Sequence, residues 1–246
     1  MKKYMMGAAA LLAIAAPAVA HADDAGSLGI HYANIDPDVS GADSLDTYGL
    51  DLAYVHSLEG GMAVQATASS DRLDPGGGSL GVGYAAIALG TNMENASYYG
   101  WLSHENFIDD AFGIGIGGRW DVMAQAVVNA SVGYADFDTA DSVTNVNLDG
   151  TWFFSDDLGV GAQVGYIDFD SGNATTYGVN GTYRFSGTPI AMNLGYQHID
   201  GDTADANRWS IGFQWQFGTG SARENAEHGA TWNGAERQYE DTLGGF

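Results

Sequence analysis

The chain has 246 residues, with 31 acids against eight basic residues, 36 glycines, 12% aromatics and no cysteine. That charge balance disfavours nucleic acid or anionic lipid as a partner held by simple attraction. The lack of cysteine excludes a disulfide framework and any thiolate metal site, while the aromatic content argues against disorder.

The first element in chain order is a leader. Met1-Lys2-Lys3 is basic, the run from Met5 to Ala16 is apolar, and Ala18-Val19-Ala20 is a small-x-small cleavage site. This predicts a secretory signal peptide over 1–22, cut after Ala20 or Ala22. The apolar run falls well short of the roughly 20 residues of a membrane-spanning helix. No other long apolar run follows, so a membrane-spanning body over 23–217 must cross with strands. Lys2 and Lys3 leave with the leader, and the remaining chain keeps six arginines against its 31 acids.

From Ser27 to Phe217 apolar and small or polar residues alternate, with turn signals between the runs. The pattern predicts twelve strands, at 27–36, 47–58, 61–70, 79–89, 97–107, 111–120, 125–138, 143–154, 158–169, 175–185, 189–199 and 206–217; ten is the alternative count. The register of 97–107 is ambiguous. An even number returns the chain to the side where it began.

The last strand is the clearest. Trp209, Ile211, Phe213, Trp215 and Phe217 alternate with Ser210, Gly212, Gln214 and Gln216. The same division recurs at Ile190/Met192/Leu194/Tyr196 against Asn193/Gly195/Gln197, and at Phe112/Ile114/Ile116/Trp120 against Gly113/Gly115/Gly117/Arg119. A soluble barrel fills its inside with the bulky set. Here the bulky set recurs on strand after strand opposite a small polar one, which suits lipid outside and a wet lumen inside. The fold class is therefore all-β, a transmembrane antiparallel up-and-down barrel.

A Gly-Tyr-x-x-(aromatic or Ile)-Asp sequence recurs at Gly133–Asp138, Gly165–Asp170 and Gly195–Asp200, with copies about 30 residues apart, the length of a hairpin. Each copy sets a Tyr, then acids, at a strand end. Tyr134, Tyr166 and Tyr196 are expected in one aromatic girdle, and Trp120, Trp152 and Phe217 in the other. The acids Asp136, Asp138, Asp168, Asp170, Asp200 and Asp202 form a rim. Paired carboxylates suit a hard divalent cation, which could bridge them to lipopolysaccharide phosphates; plain solvation of strand ends is the competing reading. Arg119, Arg184, Asp149 and Asp51 project inward and are the candidate selectivity residues.

The six histidines are scattered without ligand spacing, so no metal site is expected. No Gly-x-Ser-x-Gly elbow is present. His198 near Asp200 and Asp168 is the weak candidate for hydrolysis, and an enzyme is not expected. No cofactor is expected.

The leader, the hairpin repeat, the girdles and a closing strand Trp209–Phe217 ending in an aromatic residue together resemble the porin-like outer-membrane β-barrels of Gram-negative bacteria. The resemblance covers about 27–217. It implies an outer-membrane location, outer-membrane lipids and lipopolysaccharide as surroundings, and the barrel assembly machinery as a partner reading the closing strand. It implies passive diffusion of ions and small hydrophilic solutes, cation-preferring given the acidic excess. A closed structural or surface-interaction barrel is the alternative. The chain departs from the pattern in that Phe217 is followed by a polar, acidic tail, 218–246. The tail is expected to be a periplasmic extension with a short helix around Ala222–His228; a linker is the first reading and a lumen plug the second.

Overall fold

The computed structural model describes residues 24–39, 41–74, 80–106, 110–138, 142–169, 172–202 and 204–232. The expected signal peptide over 1–22, Asp170 and the tail beyond Trp232 lie outside the described residues. Twelve strands close into one antiparallel barrel in which each strand pairs with its sequence neighbours and β1 pairs with β12. They are β1 (Asp24–Pro37), β2 (Leu45–Ser57), β3 (Met62–Asp74), β4 (Leu80–Met93), β5 (Ala96–Asn106), β6 (Asp110–Met123), β7 (Ala126–Phe137), β8 (Val143–Ser155), β9 (Leu158–Phe169), β10 (Gly172–Arg184), β11 (Ile190–Gly201) and β12 (Ala206–Phe217). A helix, α1 (Ala222–His228), follows the barrel at the position expected from the tail.

All twelve strands were legible, and β9 and β12 match to the residue. Others run longer, β3 to Asp74 and β4 to Met93. Hydrogen-bonded pairing continues there past the point where the alternation in the sequence fades. Closure leaves no unpaired edge, so every strand satisfies its backbone on both sides, as a hydrocarbon surround requires.

The exterior is the apolar face. Phe112, Ile114, Ile116, Leu148, Phe154, Val179, Trp209 and Trp215 all stand exposed, with Phe154 at 68%. A water-soluble protein rarely leaves so continuous an apolar surface bare. Aromatic pairs mark both ends of this band. Tyr196 lies on Trp209 with ring centroids 4.4 Å apart, and Tyr32 on Tyr48 at 5.2 Å. At the opposite end the Trp120 indole N–H donates to the Tyr98 hydroxyl at 3.1 Å. The even-to-odd turns are tight there, with Glu94-Asn95, Ala124-Gln125 and Asp156-Asp157 each joining two strands. The start of β1 and the end of β12 lie at this same end (Gly26 is paired with Phe217), so α1 sits at the turn end of the barrel.

Candidate channel lumen

The inward face follows from alternation, and its two halves differ. Along the middle of β7–β12 the inward side chains are mostly polar, while Val127, Phe153, Ile167 and Ile199 are buried nearer the strand ends. Asn129, Asp149, Thr151, Gln163, Asn180, Thr182, Asn193, Gln197, Arg208 and Gln214 border a cavity of about 310 Å³. Asp149, one of the expected selectivity residues, accepts a hydrogen bond from Asn129 Nδ2 at 2.9 Å and lies on this wall. Arg208 lies on the same wall and was not singled out from the sequence. It stands two residues before Ser210, so the alternation that placed Ser210 inward would have placed Arg208 with it.

Along β3–β6 the expectation of few large inward groups is overturned. Tyr84, Tyr99 and Trp101 point inward and are 3%, 5% and 2% exposed. The seats of Tyr99 and Trp101 are the inward glycines of β6. Register sets Trp101 opposite Gly115 and Tyr99 opposite Gly117. A Cβ on Gly115 would come within 2.1 Å of the Trp101 indole, and one on Gly117 within 2.6 Å of the Tyr99 ring. These glycines are floors for cross-strand aromatics, a pairing that protects a bare stretch of sheet, and they add no open space. The ambiguous register of β5 concealed the arrangement.

Beside them, across three adjacent strands, His31, Gly49 and Asp71 form one row. Because Gly49 has no side chain, His31 reaches over it. Its Nε2 lies 2.8 Å from Asp71 Oδ1 and its Nδ1 2.7 Å from Asp51 Oδ2. Asp51 was expected inward and is inward, yet its partner is this histidine. The imidazole thus lies within hydrogen-bonding reach of both carboxylates.

At the turn end the two expected arginines are inward and buried, each engaged by the wall. Arg119 Nη2 donates to Ser97 Oγ at 2.9 Å. Arg184 Nε donates to Thr188 O at 3.0 Å, and its Nη1 reaches Gln216 Oε1 and Thr219 Oγ1, both at 3.4 Å. Thr219 belongs to the tail, which does not leave the barrel as an extended linker. Ser221 caps α1 by accepting from the Glu224 N–H at 3.0 Å. Ala222 packs against Val127 and Phe153. Ala222, Asn225, Ala226 and Thr231 then border one end of the polar cavity.

Five of the six expected rim acids lie among the described residues. Asp136, Asp168 and Asp200 are exposed on the outward face shared with Tyr134, Tyr166 and Tyr196, and Asp138 and Asp202 follow on the loops. Asp202 accepts from the Asn173 backbone N–H at 3.0 Å and its side-chain amide at 2.7 Å, tying the loop after β11 to the start of β10. Among the described residues no group of three or more His, Asp or Glu side chains could hold a metal ion. His198 also faces outward, 3.0 Å from Asn207 Oδ1 and 5.0 Å from the Tyr177 ring centre, away from the lumen.

No protein-family model matches the sequence, and no curated protein matches it either. Solved structures do match in fold. The NanC porin superposes with a TM-score of 0.60 at 12% identity, over 76% of this chain and 98% of that one. An outer-membrane channel from Pseudomonas putida F1 gives 0.59 at 10% identity, over 79% and 95%. The CymD monoaromatic hydrocarbon channel gives 0.54 at 8% identity, over 79% and 88%. At these identities the likeness is one of architecture, and the chain has the fold of porin-like outer-membrane barrels.

Proposed function

We propose that this barrel is a Gram-negative outer-membrane channel through which ions and small hydrophilic solutes diffuse passively. The observation that carries the reading is the pairing of a lipid-matched exterior with a polar internal cavity of about 310 Å³ bordered by β7–β12. That volume is at the small end of the range that holds small-molecule ligands. The wall offers amides and hydroxyls on opposing strands, which can replace part of a solute's hydration shell. A cation preference is supported by the exposed acids Asp136, Asp138, Asp168, Asp200 and Asp202 around one mouth, since a mouth of one sign concentrates the opposite ion. Within the cavity, Arg208 and Asp149 are the charged groups placed to tune passage. Outer-membrane lipids, with lipopolysaccharide at the acidic rim, and the assembly machinery acting on β12 are the partners that go with this reading.

The test is planar-bilayer conductance of the refolded protein, with the reversal potential read in a salt gradient. Discrete steps with cation preference are expected, strengthened in Arg208→Glu and weakened in Asp149→Asn. A folded protein that never conducts would sink the channel reading. The second reading, a closed structural barrel, is favoured by one observation, the filling of the β3–β6 side by Tyr84, Tyr99 and Trp101.

A further inference from the structure

We infer that residues 218–232 are a resident gate that closes the turn end of the lumen and must withdraw for solute to pass; the inference rests on the channel reading. The segment leaves β12 at Gly218, whose φ of 79° lies in the left-handed region. A Cβ there would meet Asp24 O at 1.9 Å, so only glycine can turn the chain back so tightly against β1. The segment is then fastened at three places around the ring. Thr219 meets Arg184 at the end of β10. Arg223 binds across two turns, donating from Nη1 to Ala124 O at 3.2 Å and from its backbone N–H to Asp156 O at 2.9 Å, with Nη2 3.2 Å from Asp156 Oδ1.

The third fastening lies across the barrel. Trp232 is 1% exposed, stacks face to face on Tyr99 at 4.9 Å and 2°, and donates its backbone N–H to Gln65 Oε1 at 3.2 Å. It completes an apolar cluster with Ala53, Val55, Ala63, Ala88 and Trp101 on the inner wall of β2–β5. Gly90 lies beneath, where a Cβ would come within 2.8 Å of the Trp232 ring. A linker bathed in water has no use for a buried indole, and an inner wall meant only for water has no use for an apolar socket shaped to one. From Gly218 the chain therefore passes β10, the β6–β7 and β8–β9 turns and β3–β5, spanning the mouth and forming the end wall of the cavity. The contacts, though spread around the ring, are side-chain and turn contacts that sit outside the strand ladder. The segment can leave as a unit about Gly218 without disturbing a strand pair.

The test records single-channel currents from the full-length protein and from Trp232→Ala, Trp232→Phe and Arg223→Glu, with folding of each checked by resistance of the barrel band to detergent at room temperature. Wild type should be closed most of the time. Trp232→Ala and Arg223→Glu should raise the open fraction by at least about tenfold, since a lost contact of ordinary size shifts a two-state balance by that order. Trp232→Phe, which keeps a ring over Tyr99, should stay near wild type. Arg223 lies at the turn end, away from the Trp232 socket, so Arg223→Glu tests the gate even if Trp232→Ala fails to fold. Conductance in wild type with unchanged open fractions in folded variants would overturn the gate and leave the channel standing. Silence from every protein, variants included, would overturn both.

Discussion

Replacing Gly115 by alanine tests whether the inward glycines of β6 are seats or space. The new Cβ would lie 2.1, 2.4 and 2.5 Å from Cζ2, Cη2 and Cε2 of Trp101, so the indole must move. Trp101 is 2% exposed and packed among Tyr99, Ala88 and Trp232, leaving it little room to yield. Overpacking of this kind costs about 1–3 kcal/mol. Gly83→Ala on β4 is the control, because a Cβ there has nothing within 4 Å. Both changes gain the same backbone term of about 0.5–1 kcal/mol for replacing a strand glycine. That term cancels in the comparison, and Gly115→Ala should be less stable than Gly83→Ala by about 1–3 kcal/mol. Urea unfolding of the reconstituted barrel, followed by tryptophan fluorescence, measures the difference. In a Trp101→Ala background the penalty should vanish, because the clash has lost its partner. A difference below about 0.5 kcal/mol, or one that survives removal of Trp101, would refute the argument.

Two further outcomes follow from the same geometry. Gly49→Ala would set a Cβ 1.7 Å from Asp71 Oδ1 and 2.3 Å from His31 Cε1, breaking the His31–Asp71 contact. The same urea titration should show a loss of about 2–3 kcal/mol, the scale of a hydrogen bond to a charged group, and stability equal to Gly83→Ala would contradict the row. The second concerns pH. Burial pushes the Glu227 carboxyl up from its ordinary value, and the nearby Asp121 adds to the shift against the pull of Arg223. A carboxyl raised in the docked state favours docking most below its undocked pKa, and the benefit is lost as pH rises through the docked value. The tail should therefore hold more tightly in mild acid than at neutral pH, which recordings across that interval would register as a lower open fraction. Glu227→Gln should flatten the dependence, and a wild-type profile unchanged by that substitution would place the titrating group elsewhere.

The sequence by itself pointed to twelve strands, with ten as the alternative, and to the two faces of every strand but β5. Alternation is a local property, and a strand such as Trp209–Phe217 declares its lipid side through its own side chains, whatever its neighbours are. For the same reason the outward positions of Asp136, Asp168 and Asp200 and the inward direction of Asp51, Asp149, Arg119 and Arg184 follow from parity along their own strands. The occupancy of the lumen does not. Whether an inward glycine is a gap or a floor depends on which residue the partner strand sets opposite it, and register joins Trp101 to Gly115 and His31 to Asp71 across Gly49. The tail is the extreme case. Nothing near Trp232 in the chain announces a binding partner, because Tyr99 and Gln65 lie more than 130 residues away, and the segment after β12 is brought to them by the pairing of β12 with β1. Closure is a global event, and what fills the enclosed space is decided there.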